Sequence, residues 1–244
     1  MEHKIYRAIR NRSFLAASWG KLLRLKDFLQ EQLLSWGPIK RAVIACFQII
    51  ALKGGISTLK TTWIGSHAQK YPTDLWVYQE IIYQTKPDFI IECGTNEGGT
   101  TLFLACICDI VQHGSVVSID VESQDPPQHP RIKYLLGSST AAETVETVKS
   151  LLQGANSVLV ILDSDHSASH VLAELRIYSK LVPRNNYLVV EDMHLNGHPV
   201  LSAFGPGPME AVREFLRGNS DFVIATDQEK FLMTLNHNGY LRRV

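Results

Sequence analysis

From residue 89 onward the chain alternates short, nearly continuous apolar runs with stretches of helical periodicity, and this rhythm constrains the fold more than any other feature of the sequence. FIIEC (89–93), VVSID (116–120), IKYLL (132–136), SVLVILD (157–163) and YLVVED (187–192) read as five core strands. Helices are expected near 98–112, 140–153 and 168–181 between them, which makes a βαβ series and a mostly parallel sheet. After a further helix near 208–218, FVIAT (222–226) and FLMTLN (231–236) read as two last strands paired as a hairpin. The expected fold class is α/β, a doubly wound, mostly parallel, seven-stranded Rossmann-like sheet over residues 61–244, with a helical extension over residues 1–60.

The chain of 244 residues is 45% hydrophobic and 20% charged, enough apolar material for one large domain with a full core. Its 24 basic and 24 acidic residues cancel, so no basic face for nucleic acid is expected. The distribution is uneven: residues 1–41 carry nine Lys or Arg against three acids, a net +6, and the remainder carries −6. Within this segment SFLAASWGKLLRLKDFLQEQLLSW repeats apolar residues at three and four spacing, giving one apolar and one basic face. Two readings suit it: a helical arm packed on the domain or on a sister subunit, which is favoured, or an interfacial helix on an anionic membrane formed by residues 1–50. The run AVIACFQIIAL (42–52) is eleven residues long, short of the ~20 that a spanning helix needs. It also begins too far along the chain for a signal peptide. The four cysteines, Cys46, Cys93, Cys106 and Cys108, form no disulfide framework. A cytoplasmic location, with a peripheral position at the inner membrane surface as the variant, is expected.

Chemistry concentrates at the strand ends. In IIECGTNEGGT (90–100), Glu92, Gly94 and Gly98 follow a buried strand and open a helix, the form of a cofactor loop whose glycines admit a ligand close to the backbone. The spacing is not the dinucleotide G-x-G-x-x-G, which weakens a nicotinamide reading. Asp120, at the end of the second strand, stands where an acid accepts the ribose hydroxyls of an adenosine ligand. Ser138 and Ser139 after the third strand suit either the adenine edge or a helix N-cap. Asp163 ends the fourth strand, and Glu191 and Asp192 end the fifth. Three carboxylates at one sheet edge repel unless a cation neutralises them, and an all-oxygen set suits Mg²⁺. Such an ion would acidify and orient an acceptor hydroxyl. His166, three residues past Asp163, is placed to take the hydroxyl proton as general base. His194 and His198, in the Gly/Pro-rich segment 194–210, suit either an acceptor contact or, equally, a structural or exposed role. Trp63, Trp76 and Tyr78 are expected in helix packing, with an aromatic wall for the acceptor as the alternative.

The stretches TTWIGSHAQKYPTDLWVYQEII, IIECGTNEGGTTLFLACICDI, VILDSDHSASHVLAELRIYSKLV, YLVVEDMHLNGHPV and FGPGPMEAV together resemble the family of cephalosporin hydroxylases and rhamnosyl or macrolide-sugar O-methyltransferases, over nearly everything from residue 60 onward. The resemblance implies a class I methyltransferase fold with S-adenosylmethionine (SAM) as donor. It also implies Mg²⁺ on Asp163, Glu191 and Asp192, with Asp163 near SAM as well, and His166 as base in the D-x-x-H motif. It favours a homo-oligomer. The expected reaction is methylation of a hydroxyl on a small-molecule or glycoside acceptor. Two alternatives are an antibiotic-tailoring hydroxylase, disfavoured because non-haem iron wants two His and one carboxylate, and a non-catalytic, membrane-associated SAM-binding scaffold, against which the complete residue set argues.

Overall fold

The computed structural model describes residues 37–53 and 61–244. The amphipathic stretch expected over residues 13–36 lies outside the described residues. Helix α1 (Gly37–Lys53) contains the apolar run 42–52, and a boundary between two compact units falls between its residues Cys46 and Phe47. Among the described residues no helix is long and apolar enough to cross a membrane.

The unit Phe47–Val244 contains a two-stranded hairpin, β1 (Thr62–Trp63) and β2 (Ser66–His67), followed by α2 (Pro72–Thr85), β3 (Phe89–Cys93) and α3 (Gly99–Ile110). Next come β4 (Ser115–Asp120), β5 (Ile132–Leu136), α4 (Ala142–Leu151), β6 (Val158–Leu162) and α5 (Ala168–Tyr178). The chain ends with β7 (Tyr187–Val190), α6 (Pro208–Arg217), β8 (Phe222–Ile224) and β9 (Tyr240–Arg243). Seven strands form one sheet in the order β5-β4-β3-β6-β7-β9-β8. The first five are parallel, and β9 runs antiparallel to both β7 and β8.

The near-continuous apolar sequence of β6 and β7 has a direct cause: every residue of both strands is buried, as expected where helices cover both faces of a parallel sheet. One face packs Val160, Leu188 and Leu175 with Val212 and Phe215 of α6. The other packs Ile90, Leu159 and Ile161 with Ile81, Leu104 and Cys108 of α2 and α3. Helix α6 shows most simply how sequence sets an element. Pro208 opens it, Met209, Val212 and Phe215 fall on its buried face, and the Glu210 carboxylate accepts the Gly207 N–H at 2.8 Å.

The doubly wound, seven-stranded sheet is the one the sequence leads one to expect, but its last hairpin is not. FLMTLN (231–236) forms no strand; the strand paired with β8 is YLRR (240–243). Segment 231–236 instead wraps a buried acid. The Asp74 carboxylate accepts from the Thr234 hydroxyl at 2.5 Å, the Leu235 N–H at 3.1 Å and the Tyr240 hydroxyl at 2.9 Å. Side-chain acceptors thereby satisfy backbone that a strand would satisfy by pairing. The charged YLRR reads poorly as a strand, yet it buries Tyr240 and Leu241 while Arg243 reaches the Val182 carbonyl at 2.7 Å.

The chain leaves β3 to build β4 and β5 on one side, then returns to β6 on the other. The strand order therefore reverses between β3 and β6, and the crevice beyond their carboxyl ends is where open α/β sheets bind ligands.

Candidate functional site

A cavity of about 710 Å³ opens at this reversal, within the size range of small-molecule and cofactor pockets. Of the sequence-derived candidates, Gly94, Asp120, Ser138, Ser139, Asp163, His166, Asp192 and His194 line it. Glu92, Gly98 and Glu191 do not line it; they build its walls from behind.

The loop after β3 crosses the end of β6 so closely that no side chain fits at its first position. Gly94 has φ +98°, and a Cβ there would lie 2.0 Å from the Asp163 carbonyl oxygen. Gly98, at φ +77° ahead of α3, leaves space that Pro126 and Pro127 fill. We expect Gly94→Ala to cost about 3 kcal/mol or more of folding stability, through backbone strain plus the clash, as read by denaturant unfolding; a change within 0.5 kcal/mol, the ordinary scatter of surface substitutions, would contradict this packing.

Asp120 ties the loop down. Its carboxylate accepts the N–H groups of Thr95 at 2.8 Å, Asn96 at 2.9 Å and Glu122 at 3.0 Å. Glu92 sits beneath the loop, 2% exposed, accepting from the hydroxyls of Thr101 at 2.5 Å and Ser118 at 2.7 Å. Burial pushes its carboxyl up to about 7 against those two donors. The folded state thus holds a proton that the unfolded chain, ordinarily at 4.5, releases. The stability this contributes is present below 4.5 and lost as pH rises through 7. Glu92→Gln removes the titration, so its stability relative to wild type should improve by about 3 kcal/mol between pH 4.5 and pH 8; denaturant melts at the two pH values would show no such gain if Glu92 titrated normally.

Ser138 and Ser139 divide. The Ser138 hydroxyl accepts the Thr140 N–H at 3.3 Å in a turn at the cavity edge. The buried Ser139 hydroxyl donates at 2.5 Å to Glu174, a fully buried acid of α5 that also receives the Ser164 hydroxyl at 2.7 Å. Neither serine caps α4, whose N-cap is Ala141.

At the ends of β6 and β7 the structure brings Asp163, His166 and Asp192 together, with one potential ligand atom of each within 4.8 Å of the others. His166 Nε2 stands 3.1 Å from Asp192 Oδ2. Glu191 turns the other way. It is 1% exposed, its Oε1 accepts the Tyr78 hydroxyl at 2.6 Å, and its Oε2 faces the Lys70 ammonium at 2.7 Å. Lys70 also donates to Asp163 Oδ2. Burial acts to lower the Lys70 pKa, but Asp163, Glu191 and Asp192 outweigh it and hold the ammonium well above its ordinary value. Burial and the Asp163 charge push Glu191 up, opposed by Lys70 and Tyr78. The His194 imidazole, 6% exposed, is pushed down by burial; its Nδ1, without a hydrogen-bond partner, lies 3.7 Å from Asp192 Oδ1.

The chemistry of this donor set fits a divalent cation. With all three carboxylates ionised, their formal charge against one ammonium is −2, and an oxygen-rich set beside one imidazole suits a hard or borderline ion.

Lys70 carries no signal in the sequence, although it lies in the SHAQKYPTDLW stretch, because a single lysine does not reveal a partner such as Asp163, 93 residues away. Tyr78 packs in the core of α2 as expected, fully buried, and its hydroxyl additionally donates to Glu191. Trp63 packs edge-on against Phe103, Trp76 is exposed, and neither lines the cavity. His194 lines the cavity, whereas His198 bonds Glu210 at 2.6 Å beside α6.

Comparison with known proteins bears on the family and the fold. The family model described as rhamnosyl O-methyltransferase/CmcI matches residues 57–244. A rhamnosyl O-methyltransferase of Mycobacterium leprae (strain TN) is 39% identical over 191 residues, covering 75% of this chain and 83% of its own. One from Mycobacterium tuberculosis (strain ATCC 25618 / H37Rv) is 38% identical over 200 residues, covering 78% and 81%. A structure of CmcI with Mg and SAM superposes with a TM-score of 0.60 over 75% of this chain and 76% of that one, at 19% identity. A CmcI apo-structure gives 0.59 at 20% identity with the same coverage. These two likenesses establish the fold, and the sequence matches establish the family: the chain belongs to the rhamnosyl O-methyltransferase/CmcI family.

Proposed function

We propose that this chain transfers the methyl group of SAM to a hydroxyl of a sugar, in a glycoside or glycolipid acceptor, with a divalent cation, Mg²⁺ by preference, at its carboxylate cluster. The observation that carries the reading is the convergence of Asp163, His166 and Asp192 on the rim of the cavity that the Gly94 loop, Asp120 and Ser138 enclose. The 39% identity to a rhamnosyl O-methyltransferase supports the sugar acceptor.

When bound, SAM supplies an electrophilic methyl on a sulfonium, and the cation supplies Lewis-acid polarisation of the acceptor oxygen. The chain's own residues do the rest. The Gly94 loop admits the donor against the backbone, and Asp120 and Ser138 provide polar groups for its ribose and adenine. Asp163 and Asp192 would hold the cation, while Glu191, already receiving Lys70 and Tyr78, contributes charge from behind. His166 takes the hydroxyl proton as methyl transfer begins. With Nε2 3.1 Å from Asp192, a proton held on Nε2 would leave the Nδ1 lone pair to accept that proton, and the Asp192 charge would stabilise the imidazolium that forms. Much of the rate comes from holding donor and acceptor in line.

The test is incubation of the full chain with methyl-labelled SAM and a panel of rhamnosides and other glycosides, with Mg²⁺ or with EDTA. Label should enter a glycoside only with the divalent ion. Transfer that is indifferent to EDTA would remove the cation from the account, and transfer to non-sugar hydroxyls alone would remove the sugar.

A further inference from the structure

Lys70 sits on the connection between β2 and α2, with its side chain 5% exposed. Its ammonium bridges Asp163 and Glu191, lying 2.7 Å from Glu191 Oε2, and pairs with no other carboxylate among the described residues. Glu191 keeps a second donor, Tyr78, whose hydroxyl in turn accepts from Asn236 Nδ2 at 3.0 Å. The scaffold of the cluster therefore does not hang on the lysine alone. What the lysine alone supplies is a buried positive charge, fixed beside two of the three acids.

We propose that Lys70 is the charge-balancing and positioning residue of the cation site: by bridging Asp163 and Glu191 it holds the three-carboxylate cluster at a net −2 and so matches it to a divalent ion. The inference rests on the divalent site proposed above. A fixed ammonium repels an incoming cation in proportion to the cation's charge, and by linkage the cation weakens the hold of the ammonium equally. Lys70 thus lowers the affinity of every cation, and lowers that of a trivalent ion more than that of a divalent one. In return, the acids remain oriented and the loaded site is neutral.

The test is metal titration of the full-length chain: Mn²⁺ by calorimetry and Tb³⁺ by sensitised luminescence, for wild type, Lys70→Met, Lys70→Gln and Lys70→Arg. The neutral variants should bind Mn²⁺ about tenfold and Tb³⁺ about thirtyfold tighter than wild type, because the change in log affinity scales with ionic charge. Lys70→Arg, which keeps the charge, should stay within about threefold of wild type, well short of the shift expected from removing a unit charge. Equal or weaker Mn²⁺ binding by folded neutral variants overturns the inference and leaves the divalent site standing. Equal tightening for both ions also overturns it, since that is the mark of relieved crowding. If the neutral variants do not fold, Lys70→Arg still decides: tightening of the neutral-variant size there overturns the charge argument, and wild-type affinity supports it. Failure of wild type to bind either ion overturns both this inference and the proposed divalent site.

Discussion

Replacing Asp163 with Asn is expected to lower kcat/KM for methyl transfer by about 10³-fold or more, the scale of losing several kcal/mol of cation-borne transition-state stabilisation, with no recovery at raised Mg²⁺. Three of the site's devices meet on this residue. It belongs to the Asp163–His166–Asp192 group, it accepts the Lys70 ammonium, and its backbone carbonyl is packed against Gly94. The substitution keeps the backbone and the side-chain volume, so the Gly94 crossing survives and the loss reports the charge. Removing that charge leaves the buried Lys70 with Glu191 as its one ion-pair partner among the described residues, and truncating half of a buried ion pair is costly. Steady-state kinetics across a Mg²⁺ series provides the check; activity within about tenfold of wild type, too little for the loss of a cation ligand, would take Asp163 out of the cation site.

Replacing His166 with Ala is expected to lower kcat by about 10²–10⁴-fold, the range for removing a general base, while SAM binds with unchanged affinity. The separation of the two effects follows from position. His166 is on the rim beside Asp192, 3.1 Å away, whereas the groups proposed to hold the donor's ribose and adenine, Asp120 and Ser138, stand at the ends of β4 and β5. Single-turnover kinetics with saturating SAM isolates the chemical step. An undiminished kcat would show that another group takes the proton. A loss confined to SAM affinity would place His166 in the donor site.

The sheet could be read from the sequence because four of its five parallel strands, β3, β4, β6 and β7, are largely buried and hence nearly continuously apolar, a pattern that needs no tertiary information. The final hairpin could not. FLMTLN has strand composition, but Asp74, some 160 residues upstream, claims its hydroxyl and amide groups, and no local pattern reveals an acceptor that far away. Asp120, Asp163, His166 and Asp192 were legible because they sit at strand ends next to glycine or acidic companions. The positions of Glu191 and Lys70 were not. An Asp or Glu at a strand tip gives no sign of which way it turns, and Glu191 turns inward because Tyr78 and Lys70, from the segment before β3, meet it there. The cluster looked like three acids in want of one cation; one positive charge was already built into the fold.

Calorimetric titration of the full-length chain with SAM decides whether the cavity beyond β3, β4 and β6 holds the methyl donor. A SAM site there requires saturable binding of one SAM per chain, weakened at least tenfold by Asp120→Ala, which unties the Gly94 loop from its two N–H contacts, those of Thr95 and Asn96. Absence of SAM binding by the folded wild-type protein, with or without Mg²⁺, would contradict it.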